Sequence, residues 1–496
     1  MPPYEKINIH PATHPFTSLS STTYDVICIG SGWAGRTIAA RVVKAGLSAI
    51  VVESELVGGD CPFWACVPSK VLLRSGEALK EANAVGGVRE PLANGKLDAE
   101  AVFKRRDTFT AGWDDRKLLI PMVESSGASL VRGRARIAGV KQVAVDSTDG
   151  QTLLLEARYA VALCTGSEPI IPDIPGLHEA QPWTPRHATS SSHAPEHLII
   201  MGAGAVGCEM ATAYASFGSK VTLISSSSEI LPKLDVEAAS VVQKGLESDG
   251  VQVYLSTKVL KVEKTAAGSV EVKLSDGTAI KGSQILVAAG RKAQTSNLGL
   301  EKLNILTDGD PIPVNESLQV KAVPEGWLYA AGDVNGRAPL THSSKYHGRI
   351  ASNAILARVK GSSTKATAWN NISATADILA LPQVIFTSPT VASVGLTKKG
   401  AEAAGRSVRV ITTTSATIAS RVHADGYEDG WAQWVIDEKS QVLLGATFVD
   451  RNAAELLHAS TVAVVGGLTL ETLQHAVPSF PTLSEVYLNL LEAAGL

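Results

Sequence analysis

The spacing Gly30, Gly32, Gly35 recurs as Gly202, Gly204, Gly207, and each copy lies between an apolar run and a helix-patterned stretch. Few features restrict a fold as tightly. The first copy reads YDVICIGSGWAGRTIAARVVKAGLSAIVVES from Tyr24: buried strand, tight turn, helix, second strand. Gly30 makes the turn, Gly32 lets a pyrophosphate approach the backbone, and Gly35 lets the helix pack closely on the strand. Glu53 ends the second strand, where a carboxylate takes the ribose hydroxyls of an adenosine. The second copy reads HLIIMGAGAVGCEMATAYASFGSKVTLISSSS from His197. A chain with two such units holds two dinucleotides. The simplest use for two is electron transfer between them, with FAD bound permanently and a nicotinamide cofactor arriving. No acid closes the second unit; Ser225 opens a run of four serines ending at Ser228. Nothing there repels a 2′-phosphate, and Ser225, Ser226 and nearby Lys233 could hold one, so NADPH is expected, with NADH possible.

A second constraint is the segment GGDCPFWACVPSK from Gly58, which sets Cys61 and Cys66 just ahead of a helix start. Gly58 and Gly59 let the backbone pass close to a ligand, and Pro68 suits the first turn of a helix running through Lys70. Cys66 therefore lies near a helix N-terminus, where the macrodipole favours a thiolate. Two thiols within reach, one of them activated, cycle between dithiol and disulfide. A purely structural bridge over so small a loop would add little stability. No metal is expected, because no further Cys or His lies close enough in sequence to complete a zinc site. Cys28, Cys164 and Cys208 fall inside apolar patterns and read as small buried hydrophobes.

At 496 residues and 45% hydrophobic content, the chain is long enough for two or three domains. Its formal net charge of −3 gives no basic surface signal, and no apolar run approaches membrane-spanning length. Nucleic acid and membrane are excluded as expected partners, and a small molecule fits better. Five cysteines, an odd number, argue for a reducing compartment. The first twenty residues carry neither a signal core nor an arginine-rich presequence, so they read as an N-terminal arm and the protein as cytoplasmic.

These motifs, with LCTGSEPIIPDIPG from Leu163, ILVAAGRKAQTSNLGL from Ile285, LYAAGDVNG from Leu328 and VIFTSPTVASVGLT from Val384, closely resemble the flavoprotein disulfide reductases. That family includes dihydrolipoamide dehydrogenase, glutathione reductase and mercuric reductase. The resemblance implies an α/β fold with two Rossmann-like dinucleotide-binding domains and a C-terminal α+β dimerisation domain. It implies a discontinuous FAD domain over 24–165 and 286–355, an NAD(P)H domain over 166–285, and a homodimer interface over 380–496. Carried over by position, Asp333 binds the ribityl chain, and Thr165, Gly166 and Thr341 join Gly59 around FAD. Lys70 lies beside flavin N5, Glu209 pairs with it near the nicotinamide, and Gly290 contacts the nicotinamide cofactor. Hydride passes from NADPH to flavin, the flavin opens the disulfide at Cys66, and Cys61 is freed to attack a substrate.

In the family that outer thiol works with a histidine held by a glutamate of the partner subunit, in a motif His-Pro-Thr-Leu-Ser-Glu. Here the stretch is Phe480, Pro481, Thr482, Leu483, Ser484, Glu485. The base is phenylalanine, Glu485 remains, and His475 stands nearby. Loss of a general acid–base catalyst typically costs about 10²–10⁴ in rate. The departure points to a small acceptor that needs no positioned proton donor, quinone-like in character. Phe480, Phe63 and Trp64 would line its entrance. Mercuric reduction is disfavoured, since no cysteine follows Cys208. Two alternatives stand beside this reading: a disulfide reductase or dihydrolipoamide dehydrogenase with His475 as base, and a non-catalytic flavoprotein redox sensor.

Overall fold

The computed structural model describes residues 3–92, 95–265, 268–427 and 430–496. The chain divides into two compact units. One comprises Met1–Pro68, Arg106–Pro169 and Arg291–Asp377; the other comprises Ser69–Arg105, Ile170–Gly290 and Ile378–Leu496.

The first unit is built on β1 (Thr23–Ile29), α1 (Trp33–Lys44) and β2 (Ala49–Glu53), the predicted opening. β1 pairs in parallel with β2 on one side and with the strand Thr152–Leu163 on the other. That long strand changes character along its length. Its first part alternates and pairs antiparallel with Gln142–Asp146; its last four residues are continuously buried and pair in parallel with Leu328–Ala330. Alternation suits a strand with one wet face, and a continuous apolar run suits one covered on both. Helix Thr341–Val359 packs on α1 closely enough that a Cβ on Gly348 would meet the Thr37 side chain.

The second unit holds an all-parallel four-stranded sheet in the order Gln252–Tyr254, Lys220–Ile224, His197–Met201, Gln284–Val287. A five-stranded antiparallel sheet follows, formed by Pro382–Ile385, Thr390–Gly395, Leu443–Asp450, Trp431–Asp437 and Val408–Thr413, with helix Ala453–Gly466 on it. Residues 69–105, which the sequence grouped with the flavin domain, belong to this unit. The reason is physical. Leu72, Leu73, Val102 and Phe103 bury their side chains with Ala213, and Lys80 pairs with Asp249.

Both glycine loops obey one steric rule. A Cβ on Gly35 would overlap the carbonyl oxygen of Gly30, and one on Gly207 that of Gly202, so helix and turn can close only without side chains. Gly32 and Gly204 face open space instead. We therefore expect Gly207→Ala to lose about 1–3 kcal/mol in denaturant unfolding. Gly204→Ala, measured the same way, should keep its midpoint yet bind pyridine nucleotide weakly in a fluorescence titration.

Candidate active site

The cysteine segment is held down by the first glycine loop. Ser31 Oγ donates to Glu53 Oε2 at 2.6 Å and accepts the Gly58 N–H at 2.8 Å. A Cβ on Gly59 would come within 3.2 Å of Gly32 Cα, so the backbone runs directly over the loop. Cys61 then lies in the single turn α2 (Asp60–Phe63), and Cys66 opens α3 (Cys66–Asn83), with Pro68 in its first turn as expected. Asp60, beside Cys61, takes a hydrogen bond at 2.7 Å from Arg291, whose Nε also donates to Ser167 Oγ at 2.7 Å.

Both cysteines are free thiols. Cys66 Sγ lies 3.0 Å from Thr341 Oγ1, at the start of helix Thr341–Val359. The Cys61 thiol is brought down to about 6, chiefly by its hydrogen bond with Cys66 and with help from Thr341, Trp33 and, least, the Arg36 charge, against the opposing effect of burial. The sequence reading put the activated thiol at Cys66, from the helix start alone. On Cys61 itself a thiol, a hydroxyl, an indole and a guanidinium converge. The other three cysteines are inert by the same physics: burial pushes Cys28 and Cys208 up to about 12 and Cys164 well above its ordinary range.

The surroundings fit FAD. Helix α1 begins at Trp33 with no side chain capping it, and Gly32 leaves room in front of it, which is the form of a pyrophosphate site. The Glu53 carboxylate is fixed by the Ser31, Ser54 and Glu55 N–H groups at 2.8, 2.8 and 2.9 Å, besides the Ser31 hydroxyl. Asp333 accepts from Ser167 Oγ at 2.7 Å. The preceding Gly332 donates its N–H to Nδ1 of the fully buried His347 at 3.0 Å, and His347 Nε2 meets Asp377 at 2.8 Å. Thr165 donates to the Gln294 carbonyl at 2.7 Å, and the Gln294 N–H returns to Gly166.

In the second unit, Lys70 Nζ donates to both oxygens of Glu209, at 2.9 and 2.7 Å. Glu209 is buried, and Lys70 is half-buried over the Phe386 ring at 4.7 Å. The Phe386 N–H donates to Glu209 Oε1 at 3.0 Å, a contact that sequence reasoning missed because only a long-range fold brings the two together. Gly290 accepts from the Ile170 N–H at 3.0 Å. Ser225 is buried and receives the Ser227 N–H, whereas Ser226 and Lys233 are exposed. His475 is exposed just beyond the short helix Leu470–Leu473, and Glu485 is half-buried with its Oε2 unpartnered among the described residues.

One expectation fails. Phe63 and Trp64 line no entrance: they are 1% and 2% exposed, and Trp64 stacks on Trp113 at 6.1 Å and meets Tyr4 edge-on at 5.2 Å. Phe480, by contrast, is 69% exposed. Trp64→Ala should accordingly cost about 3–5 kcal/mol of stability. A thermal melt checks this, and an unchanged melt with an altered KM for acceptors would restore the entrance role.

Residues 24–348 match the model of the pyridine nucleotide-disulphide oxidoreductase family, and residues 381–491 match that family's dimerisation domain. The chain is 31% identical over 483 residues to a dihydrolipoyl dehydrogenase of Rhizobium etli, covering 93% of this chain and 96% of that one. It is 29% identical over 468 residues to a mercuric reductase of Staphylococcus aureus, covering 93% and 81%. Among solved structures it is similar to LpdA from Mycobacterium tuberculosis, with a TM-score of 0.80, 25% identity and coverage of 96% and 100%. It also shares its fold with the HOCl-induced flavoprotein disulfide reductase RclA from Escherichia coli, with a TM-score of 0.79, 24% identity and coverage of 95% and 99%. Among the described residues no helix is long and apolar enough to cross a membrane.

Proposed function

The chain belongs to the pyridine nucleotide-disulfide oxidoreductase family of FAD-dependent enzymes, and on that premise we propose that it oxidises NADPH and uses Cys61 and Cys66 to reduce a small, quinone-like acceptor. FAD, when bound, supplies the two-electron relay between nicotinamide and disulfide. Gly30, Gly32, Gly35, Glu53, Gly59, Thr165, Gly166, Asp333 and Thr341 would hold it. The observation that carries the reading is Cys61, whose thiol sits at about 6 and so is ionised at neutral pH without an adjacent histidine. Above that value Cys61 is predominantly thiolate; below it the thiol form returns and the nucleophile fades.

Toward a quinone, the dithiol gives up two electrons and two protons, the acceptor becomes the hydroquinone, and the Cys61–Cys66 bond forms. Phe480 at the family's histidine position supports an acceptor of this kind, since none of these protons has to be placed on a departing thiolate. The homodimer follows from the dimerisation domain. The serine run and Lys233 favour NADPH. Ser226→Asp should therefore lower kcat/KM for NADPH about tenfold or more while sparing NADH, because a carboxylate repels the 2′-phosphate.

A second reading, reduction of a small disulfide such as lipoamide, is favoured by Glu485. Its buried, unpartnered Oε2 is an acceptor suited to an imidazole N–H. There Cys61 would attack one sulfur, the first thiolate would leave and take a proton, and Cys66 would displace the second thiol as the intramolecular disulfide closes.

Anaerobic reduction with NADPH, followed by mixing with a benzoquinone, lipoamide or glutathione disulfide, separates the two. Rapid reoxidation by the quinone alone is expected. Fast reoxidation by lipoamide that collapses in His475→Ala would establish the second reading, and no reoxidation by any acceptor would leave a redox sensor.

A further inference from the structure

Arg36 stands in the first turn of α1, 9% exposed, yet its Nε and Nη2 meet no acceptor among the described residues. A buried guanidinium with idle donors is costly, so its position implies an anion that joins it in the working protein. The neighbouring carboxylates are committed elsewhere: Glu53 already receives four donors, and Asp60 is paired with Arg291. The ring of Trp33 gathers two cations, with Arg36 Cζ 4.4 Å and Lys345 Nζ 3.6 Å from its centroid. Two paths of contact lead from this cluster to the thiols. Gly59 presses on Gly32, which brings Cys61, two residues on, over the start of α1. Thr341, beside Cys66 Sγ, lies one helical turn before Lys345.

We propose that Arg36 is the positioning charge that holds Cys61 as a thiolate, so that a fixed guanidinium does electrostatically what a protonated imidazole would otherwise do. The proposal rests on the reading of Cys61 as the outgoing nucleophile. The groups that act on that sulfur are Cys66, Thr341, Trp33 and Arg36, and the carboxylate next to it in the chain, Asp60, is paired with Arg291. Of these, Arg36 is the buried cation with donors to spare. The electrostatics agree: Arg36 lowers the Cys61 thiol, while burial draws the guanidinium itself down to about 10. A guanidinium even at that value stays charged wherever the thiolate forms.

The test is the pH dependence of Cys61 alkylation by iodoacetamide in the reduced holoprotein, read by peptide mass spectrometry. The wild-type midpoint should lie near 6. Arg36→Lys, which keeps the charge, should stay close to it. Arg36→Met and the shape-conserving Arg36→Gln should both rise by about one unit or more. An unmoved midpoint in either neutral variant overturns the proposal. Flavin absorbance per polypeptide is read on the same samples: flavin lost with the midpoint unmoved would assign Arg36 to the cofactor's diphosphate instead. Cys61→Ser is assayed separately for acceptor turnover. If turnover survives in Cys61→Ser, the proposed function fails, while the alkylation shift still decides the role of Arg36.

Discussion

The first unit depends on a small knot of hydrogen bonds around Ser31. That hydroxyl donates to Glu53 and accepts from Gly58, so three segments meet at one oxygen: the turn after β1, the end of β2 and the strand of chain leading to Cys61. Glu53 is further gripped by three backbone N–H groups, which makes it rigid before any ribose arrives. The residue before Gly58, Val57, donates to Asp115, itself paired with the largely buried Arg132. A buried, hydrogen-bonded ion pair of this kind adds little net stability, because desolvation offsets the attraction. What it supplies is position. The cysteines are placed by the same residues that form the cofactor cradle, and the two cannot shift independently.

Features with short-range causes were legible in the sequence. The glycine loops follow from local spacing, and the structure shows the steric reason, a Cβ at Gly35 or Gly207 striking the carbonyl at the turn. The start of α3 at Cys66, with Pro68 in its first turn, was legible for the same reason. The Lys70–Glu209 pair was reachable only through family resemblance, since 139 residues separate its members. Phe63 and Trp64 were misread because a four-residue turn has no periodicity to tell an inward ring from an outward one. Their burial is decided by Trp113 and Tyr4, which arrive from elsewhere in the chain. Arg36 carried no sequence signal at all. An arginine directly after the third glycine, in the first turn of a helix, reads as a solvated charge, and only the folded structure shows it 9% exposed.

The position of the low thiol illustrates the same limit. A helix dipole acts within its first turn and is worth a fraction of a kcal/mol at an exposed site. Sequence makes that effect visible at Cys66 and hides the contacts made on Cys61. A direct hydrogen bond with a neighbouring thiol, a hydroxyl, an indole and a buried cation together outweigh the burial that opposes ionisation there. The contributing groups come from α1, α3 and helix Thr341–Val359, three elements far apart in the chain.

A positioned base and a fixed cation also differ in what they permit. An imidazole can return its proton to a leaving group, so it serves both halves of a thiol–disulfide exchange. A guanidinium stabilises the attacking thiolate but has no proton to give in this pH range. An enzyme that relies on the cation therefore keeps a ready nucleophile while leaving protonation of the product to solvent or to the acceptor. That division suits acceptors whose reduced form is stable as an anion or protonates freely in water. It disfavours those whose departing thiolate must be trapped at once. Cys61 is flanked by one cation, Arg36, and by the hydrogen-bonding groups of Cys66, Thr341 and Trp33. On the proposed role of Arg36, substrate preference would be set by where charges are fixed, as much as by the shape of any opening.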